Sequence, residues 1–201
     1  METHQKESSL YVETKKETLK MAIVESFKKL VKNKPNIKVI ELGTKRWRAE
    51  HPTHHMDWFP GIKRDNFIMT DIENGIDVDV VADAHKLAEK FGENSVDAIV
   101  ACSVFEHLEK PWVVAKEFEK VLKAGGAFFI QTHQTFPLHA YPSDYFRFSD
   151  LALKSLFEWA VDVETEMEFP CQVVSERSPS TQYAAAFLNS CITGVKSGKD
   201  K

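Results

Sequence analysis

Apolar positions along the chain change their period several times, and each change marks an element. From about Glu17 to Val31, Leu19, Ile23, Phe27, Leu30 and Val31 recur at helical spacing with Lys and Glu between them. This predicts an amphipathic helix, ended by Asn33-Lys34-Pro35-Asn36. The β-branched run Ile37-Lys38-Val39-Ile40-Glu41-Leu42 predicts a first strand closed by Gly43. Asn66 to Asp71 predicts a second, and Val78 to Ala82 a third with Asp83 at its end. Ala84 to Phe91 reads as a short helix stopped by Gly92. Val96 to Ala101 is almost continuously apolar and of strand length, the pattern of a strand buried on both faces. Pro111 then opens a helix with Trp112, Ala115, Phe118, Val121 and Leu122 inward, and Gly125-Gly126 are expected to end it. Ala127 to Gln131 is another buried strand, and Ser149-Asp150 cap a last helix through Trp159.

Strands alternating with helices predict an α/β fold with a doubly wound, mostly parallel sheet and helices on both faces. The chain has 201 residues, with no repeat and no interdomain linker. Residues 1–16 are expected to be a flexible N-terminal segment and 17–201 a single domain. Thr44 to Asp65 has no sustained period and holds two prolines and three histidines, so it predicts a long loop with one helical turn. Long loops in compact domains are usually functional.

Composition narrows the function classes. A hydrophobic share of 43% supports an ordinary globular core. No stretch approaches the roughly 18 to 20 apolar residues of a membrane span, and the acidic N-terminus lacks the apolar core of a secretory signal. A net charge of −4 and the lack of a basic stripe favour a small molecule or sugar over nucleic acid as partner. Cys102, Cys171 and Cys191 are odd in number and far apart, which excludes a disulfide framework and points to a reducing, cytoplasmic setting.

In doubly wound sheets ligands sit outside the carboxyl ends of the strands, so the residues just after each strand matter most. At the first, Glu41-x-Gly43 combines a carboxylate with a glycine that lets a ligand approach the backbone. Asp71 ends the second strand, where such folds place an acid for ribose hydroxyls. Asp83 ends the third and is followed by the small Ala84; Asp83 would also serve as a helix N-cap. Together these describe a nucleoside pocket with little provision for phosphate.

These residues resemble the class I S-adenosylmethionine-dependent methyltransferases of the small, single-domain kind. Glu41-Leu42-Gly43 is similar to the family's first motif, and Val81-Ala82-Asp83-Ala84 to the segment that meets adenine. Val96 to Leu108 resembles the fourth strand and its turn, and Val121 to Ala127 the lead into the fifth strand. The resemblance spans roughly residues 37–132 and implies a Rossmann-like methyltransferase fold. It also implies S-adenosylmethionine as cofactor, S-adenosylhomocysteine as product, and Glu41, Gly43, Asp71, Ile72, Asp83, Ala84 and Ser103 as cofactor-binding residues. The sequence departs from the family where Lys45 and Trp47 stand in place of two glycines, and the interval from Gly43 to Asp71 exceeds the usual roughly 20 residues.

Ser103-x-x-Glu106-His107 resembles a Glu-x-x-Glu-His turn of metal-assisted O-methyltransferases, but Ser103 replaces the first acid, so no metal is expected. The segment His133 to Ser149 is similar to a His-x-Tyr-Pro-x-Asp-Tyr-x-Arg-Phe stretch of relatives associated with polysaccharide or natural-product synthesis. Its aromatic faces, with Asp144 and Arg147, suit a sugar-like or other polyhydroxyl acceptor; the same residues could instead pack the loop. Deprotonation of a hydroxyl acceptor calls for a base, for which His133, then His107, then His139 are the candidates. The alternative is a catalytically inactive methyltransferase-like module that binds cofactor or a partner. A nicotinamide oxidoreductase is disfavoured because no Gly-x-Gly-x-x-Gly follows the first strand. A chain this short leaves open whether a homodimer completes the site.

Overall fold

A computed structural model describes residues 22–32, 34, 36–47, 50–175 and 178–198, with the backbone alone for 172–175 and 178–185. The elements run α1 (Ala22–Val31), β1 (Val39–Leu42), β2 (Phe67–Asp71), β3 (Val80–Val81), α2 (Leu87–Phe91), β4 (Val96–Cys102), α3 (Pro111–Val121), β5 (Leu122–His133), α4 (Asp150–Leu156), β6 (Ala160–Ser175) and β7 (Ser178–Lys196). They form a seven-stranded sheet of order β3-β2-β1-β4-β5-β7-β6. β1 to β5 are mutually parallel; β7 is antiparallel to β5 and to β6. The expected doubly wound, mostly parallel sheet is therefore the observed one.

Both sheet faces are covered, for different local reasons. On one face α1 buries Ile23, Phe27 and Val31 against Val39, Phe67, Val100 and Phe129. Phe59, from the loop after β1, completes that layer, with its ring 5.9 Å from that of Phe27. On the other face α2, α3 and α4 pack through Leu87, Phe118 and Leu153. There Phe128 stacks on Phe157 at 4.5 Å and Phe118 meets Phe105 edge to face at 5.8 Å. Among the described residues no helix is long and apolar enough to cross a membrane.

Several expected boundaries shift. The 1–16 segment and the first turn of the expected first helix, Glu17 to Met21, lie outside the described residues. β1 begins at Val39 rather than Ile37, and β3 shrinks to two residues. Ala84–Lys86 is a 3-10 turn that leads into α2, and the loop before β2 holds two 3-10 turns rather than one helical turn. Gly125-Gly126 do not end α3; the helix stops at Val121 because Leu122 already has extended dihedrals, and both glycines lie within β5. Trp112 is not inward but 53% exposed. The buried face of α3 is set by Pro111, Val114, Ala115, Phe118 and Val121, and position 112 sits about 100° away from Pro111. The last helix ends at Leu156, three residues before Trp159. The antiparallel pair β6–β7 was not expected.

Core and surface positions should separate cleanly in stability measurements. Phe27→Ala removes a ring with no exposure and is expected to lower the unfolding free energy by about 3–5 kcal/mol in denaturant titration. Leu151→Ala, at a largely exposed position of α4, should stay within about 0.5 kcal/mol.

Candidate active site

The winding direction of the sheet reverses between β1 and β4, with β2 and β3 on one side and β5 on the other. Crevices for ligands open at such a switch point, outside the strand carboxyl ends. Register puts those ends level: Leu42 pairs with Thr70 and Ala101, and Cys102 with Gln131. Gly43, Ile72 and Ser103 therefore emerge along one edge.

Gly43 has φ of +74°, and a Cβ there would lie 2.5 Å from Cγ2 of Val104. Glycine is thus required twice, by dihedral and by space. Glu41 is buried, and both of its carboxylate oxygens are taken by one residue: the His55 N–H donates to Oε2 at 2.8 Å and the His55 ring Nδ1 meets Oε1 at 2.6 Å. The His55 ring packs on Trp58 at 4.4 Å, so the long loop is drawn across the end of β1. Thr44 secures the loop's start, donating from its backbone to the Thr70 carbonyl and from Oγ1 to the Asp77 carbonyl.

At the end of β2, Asp71 accepts from the Lys45 N–H at Oδ2 and from the Glu73 N–H at Oδ1, each at 3.1 Å. Lys45 Nζ pairs with Glu73 beside it. A carboxylate offers about four acceptor positions, so Asp71 keeps capacity for hydroxyl donors. Ile72, next in the chain, is 68% exposed and offers an apolar face beside that carboxylate. Asp83 caps the 3-10 turn that starts at Ala84, accepting from the His85 N–H at 2.9 Å and meeting the His85 ring at 2.8 Å. Burial pushes the Asp83 carboxyl up, but these His85 contacts outweigh it, and the net shift is downward. Ser103 follows β4 with φ of +54° and an exposed side chain.

The second half of the edge gathers the histidines. Glu106 is wholly buried, and its Oε2 accepts from Thr132 Oγ1 at 2.6 Å. Its Oε1 accepts no hydrogen bond, although Nε2 of His133 lies 3.1 Å away. Nδ1 of His133 lies 3.1 Å from Asn189 Oδ1 on β7. Burial pushes the His133 imidazole down, against the opposing pull of Glu106. His139 stands beside it with ring centroids 5.2 Å apart, and His107 lies 4.8 Å from His139. The three candidate bases therefore form one cluster, with Phe136 stacked on His133 at 4.1 Å.

Arg147 and Asp144 are committed to the loop itself. The guanidinium makes a bidentate pair with Asp144 at 2.6 and 2.8 Å and donates to the carbonyls of Phe136, Pro137 and Phe146. Those five bonds use every N–H of the group. The guanidinium holds the Asp144 carboxyl well below the usual carboxylate range. Burial pushes the thiols of Cys102 and Cys191 up, so neither is an activated nucleophile. A groove of about 560 Å³ lined by Lys28, Trp58, Ile62 and Lys63 lies near the amino ends of β1 and β2, away from this edge.

Sequence reasoning missed Asn189 and Thr132 as members of the cluster, and the hold of His55 on Glu41. Asn189 comes from a strand pairing 56 residues distant, for which no local pattern exists. His55 stood in a histidine-rich loop whose partner only the fold reveals.

Residues 65–130 match the family model described as a methyltransferase domain. That stretch, from just before β2 to the middle of β5, is about a third of the chain and is where it is similar to methyltransferase domains. Solved structures agree at the level of fold. A SAM-dependent methyltransferase from Archaeoglobus fulgidus superposes with a TM-score of 0.57 at 16% identity, over 81% of this chain and 87% of that one. A putative methyltransferase from Haloferax volcanii, solved with a methyltransferase activator, gives 0.57 at 16% identity, over 88% and 89%. Phosphoethanolamine N-methyltransferase 2 from Haemonchus contortus, bound to S-adenosyl-L-methionine, gives 0.55 at 11% identity, over 88% and 53%. No functionally curated protein matches the sequence significantly. The likeness to these methyltransferases makes S-adenosylmethionine the cofactor to be tested at this edge.

The two demands on Gly43 can be separated by comparison with Gly61, whose φ is +80° but whose Cβ would meet nothing within 4 Å. Gly61→Ala should cost about 1–2 kcal/mol of strain alone. Gly43→Ala adds the Val104 collision and is expected to cost more than about 2 kcal/mol by denaturant titration. Equal costs would mean that Val104 yields freely.

Proposed function

We propose that the chain methylates a hydroxyl group of a small, sugar-like polyhydroxyl acceptor. The observation that carries this reading is the gathering of His107, His133 and His139 at the same sheet edge as Asp71 and Gly43. The donor chemistry of the edge fits an adenine nucleoside: a carboxylate with spare acceptor capacity at Asp71, and the exposed apolar Ile72 beside it. In this reading Asp71 receives the ribose hydroxyls, and Ile72, Asp83 and Ala84 flank the base. Gly43 and Ser103 line the path toward the reacting end, with the buried Glu41 behind them, held by His55 rather than open to the cofactor.

When bound, the cofactor supplies an electrophilic methyl group on a sulfonium. The protein's part is to align the acceptor oxygen, exclude water and take up a proton. His107 and His139 have the more open rings of the cluster, whereas both nitrogens of His133 face protein groups. The proton of the acceptor hydroxyl passes to the cluster, with His107 and His139 as its outward members and His133 behind them. Because Asp144 and Arg147 are consumed within the loop, contact with the acceptor falls to the exposed rings of Phe136, Tyr141 and Tyr145. Those rings suit the apolar faces of a sugar. Tyr141, 94% exposed, also supports a second copy of the chain as cover for this side. The three free cysteines support a reducing, cytoplasmic setting. The inactive reading is weaker, because His55 and Thr44 hold in order the segment that lacks the two glycines.

Calorimetric titration with S-adenosylhomocysteine tests the cofactor side. Asp71→Ala is expected to weaken binding by about 1.5–3 kcal/mol, the worth of hydrogen bonds to a charged group. Equal affinity in wild type and variant would remove Asp71 from the site. Incubation with 13C-methyl cofactor and a panel of polyols, read by NMR, tests the acceptor. A methyl ether signal is expected, reduced about 10²- to 10⁴-fold in rate by His139→Ala with cofactor affinity kept. A methyl group found only on nitrogen or carbon acceptors would sink the hydroxyl reading.

A further inference from the structure

The inward side of the histidine cluster has an imbalance that methyl transfer does not account for. Glu106 is fully buried, yet its Oε1 accepts no hydrogen bond. A buried carboxylate oxygen without a partner is costly, and natural structures satisfy such groups with a donor, a water or an ion. Nε2 of His133 lies 3.1 Å away but makes no hydrogen bond to it. A proton on that nitrogen therefore does not resolve the contact.

The tautomers sharpen the point. Nδ1 of His107 lies 2.7 Å from the Ser143 carbonyl oxygen, and Nδ1 of His139 lies 3.2 Å from the Pro137 carbonyl oxygen. Carbonyls only accept, so both Nδ1 atoms carry hydrogen and, in the neutral rings, both Nε2 atoms keep a bare lone pair. Asn189 Oδ1 imposes the same tautomer on His133. Histidines that bind metal through Nε2 are held in this way, with Nδ1–H fixed by a carbonyl or amide oxygen.

We propose that Glu106, His133 and His139 form a binding site for one divalent first-row transition-metal ion. One ligand atom from each of the three lies within 4.8 Å of the other two. Donors about 2.1 Å from a common ion stand about 3.0 Å apart at a right angle and about 3.4 Å apart at the tetrahedral angle. The 3.1 Å between Glu106 Oε1 and His133 Nε2 falls in that interval, which makes it the spacing of two neighbouring ligands. Two imidazoles with one carboxylate favour manganese, iron, cobalt or zinc over magnesium or calcium. The triad His107, His139 and Asp144 is a poorer choice, since Asp144 is already held by Arg147 through both oxygens. Three protein ligands leave coordination positions open for an oxygen ligand such as a hydroxyl. The ion site goes beyond the proposed methylation and stands on the donor set alone; with the ion bound, His107 is the ring left to take the acceptor's proton.

The test is Co2+ titration of the full chain after chelator dialysis, followed by visible absorption and calorimetry. One Co2+ per chain with ligand-field bands is expected. His139→Ala, in a partly exposed loop, and Glu106→Gln, which keeps an acceptor for Thr132, should each weaken it by at least about 100-fold. Asn189→Leu, acting through His133, should weaken it by about 10- to 100-fold. His54→Ala should leave it unchanged. Absence of Co2+ binding in the folded wild type overturns the site, as does equal binding by wild type and His139→Ala, the pattern of adventitious chelation by the loop histidines. Titration of the same samples with S-adenosylhomocysteine separates the two readings. Cofactor binding without Co2+ binding overturns the ion site only, and Co2+ binding without cofactor binding supports the ion site and overturns the methyltransferase reading.

Discussion

Strand β4 has no solvent face. It lies between β1 and β5, with helices α2 and α3 over one side and α1 with the Phe59 loop over the other, and Ala98 to Ala101 are without exposure. Between Asp97 at its start and the point where the chain leaves the sheet, a strand in that position carries only apolar side chains. The polar groups that can meet a ligand gather at the carboxyl edge, and the register of β4 with its neighbours decides which residues arrive there together. Glu41 opposite Val100 and Cys102 opposite Gln131 bring Gly43, Ser103 and the end of β5 to one level. A slip of one residue at β4 would turn its apolar side chains over and separate the two halves of the edge.

How much of this was legible in the sequence depended on how local the signal was. The buried runs of β4 and β5 and the proline at the start of α3 are local, and they fixed those elements. The period-two alternation of β6 is also in the sequence: Val163, Thr165, Met167 and Phe169 alternate with Glu164, Glu166 and Glu168. That strand is neither continuously apolar nor followed by a helix, so it lacks the signals that mark the parallel strands. Trp112 is hydrophobic yet exposed because the angular position on α3, not the side-chain type, decides burial. The carboxyl edge could be read because each of its residues follows its own strand. The histidine cluster could not be completed, because Asn189 and His133 meet only through the β5–β7 pairing.

The loop from Thr44 to Asp65 shows one physical solution to missing glycines. Without them the chain cannot turn tightly after β1, so it travels outward and must be brought back. Two kinds of contact return it. Polar contacts link Thr44 to Thr70 and Asp77, and His55 to Glu41. Apolar contacts then seat Trp58 and Phe59 on Phe27 and Phe129, on the face that α1 leaves partly open. The same residues that restore the turn thus finish the core. This explains why a long loop without regular helix is compatible with a well-packed sheet face.

The segment after β5 is tied with equal economy. Its backbone is fixed to the Glu106 carbonyl through Tyr145 and Phe146, to the His133 carbonyl through Phe148, and to β7 through Ser190. Arg147 then draws Phe136, Pro137, Asp144 and Phe146 around one guanidinium, whose planar fork loses little freedom per bond made. Asp144 in turn accepts the His139 N–H at 2.9 Å, so the orientation of His139 is set by a network that includes no acceptor group. Asp144 and Arg147 therefore shape the cluster only through position. They hold His139 against His133 and Glu106, and without them this half-buried histidine would be free to rotate away, leaving the cluster its buried half.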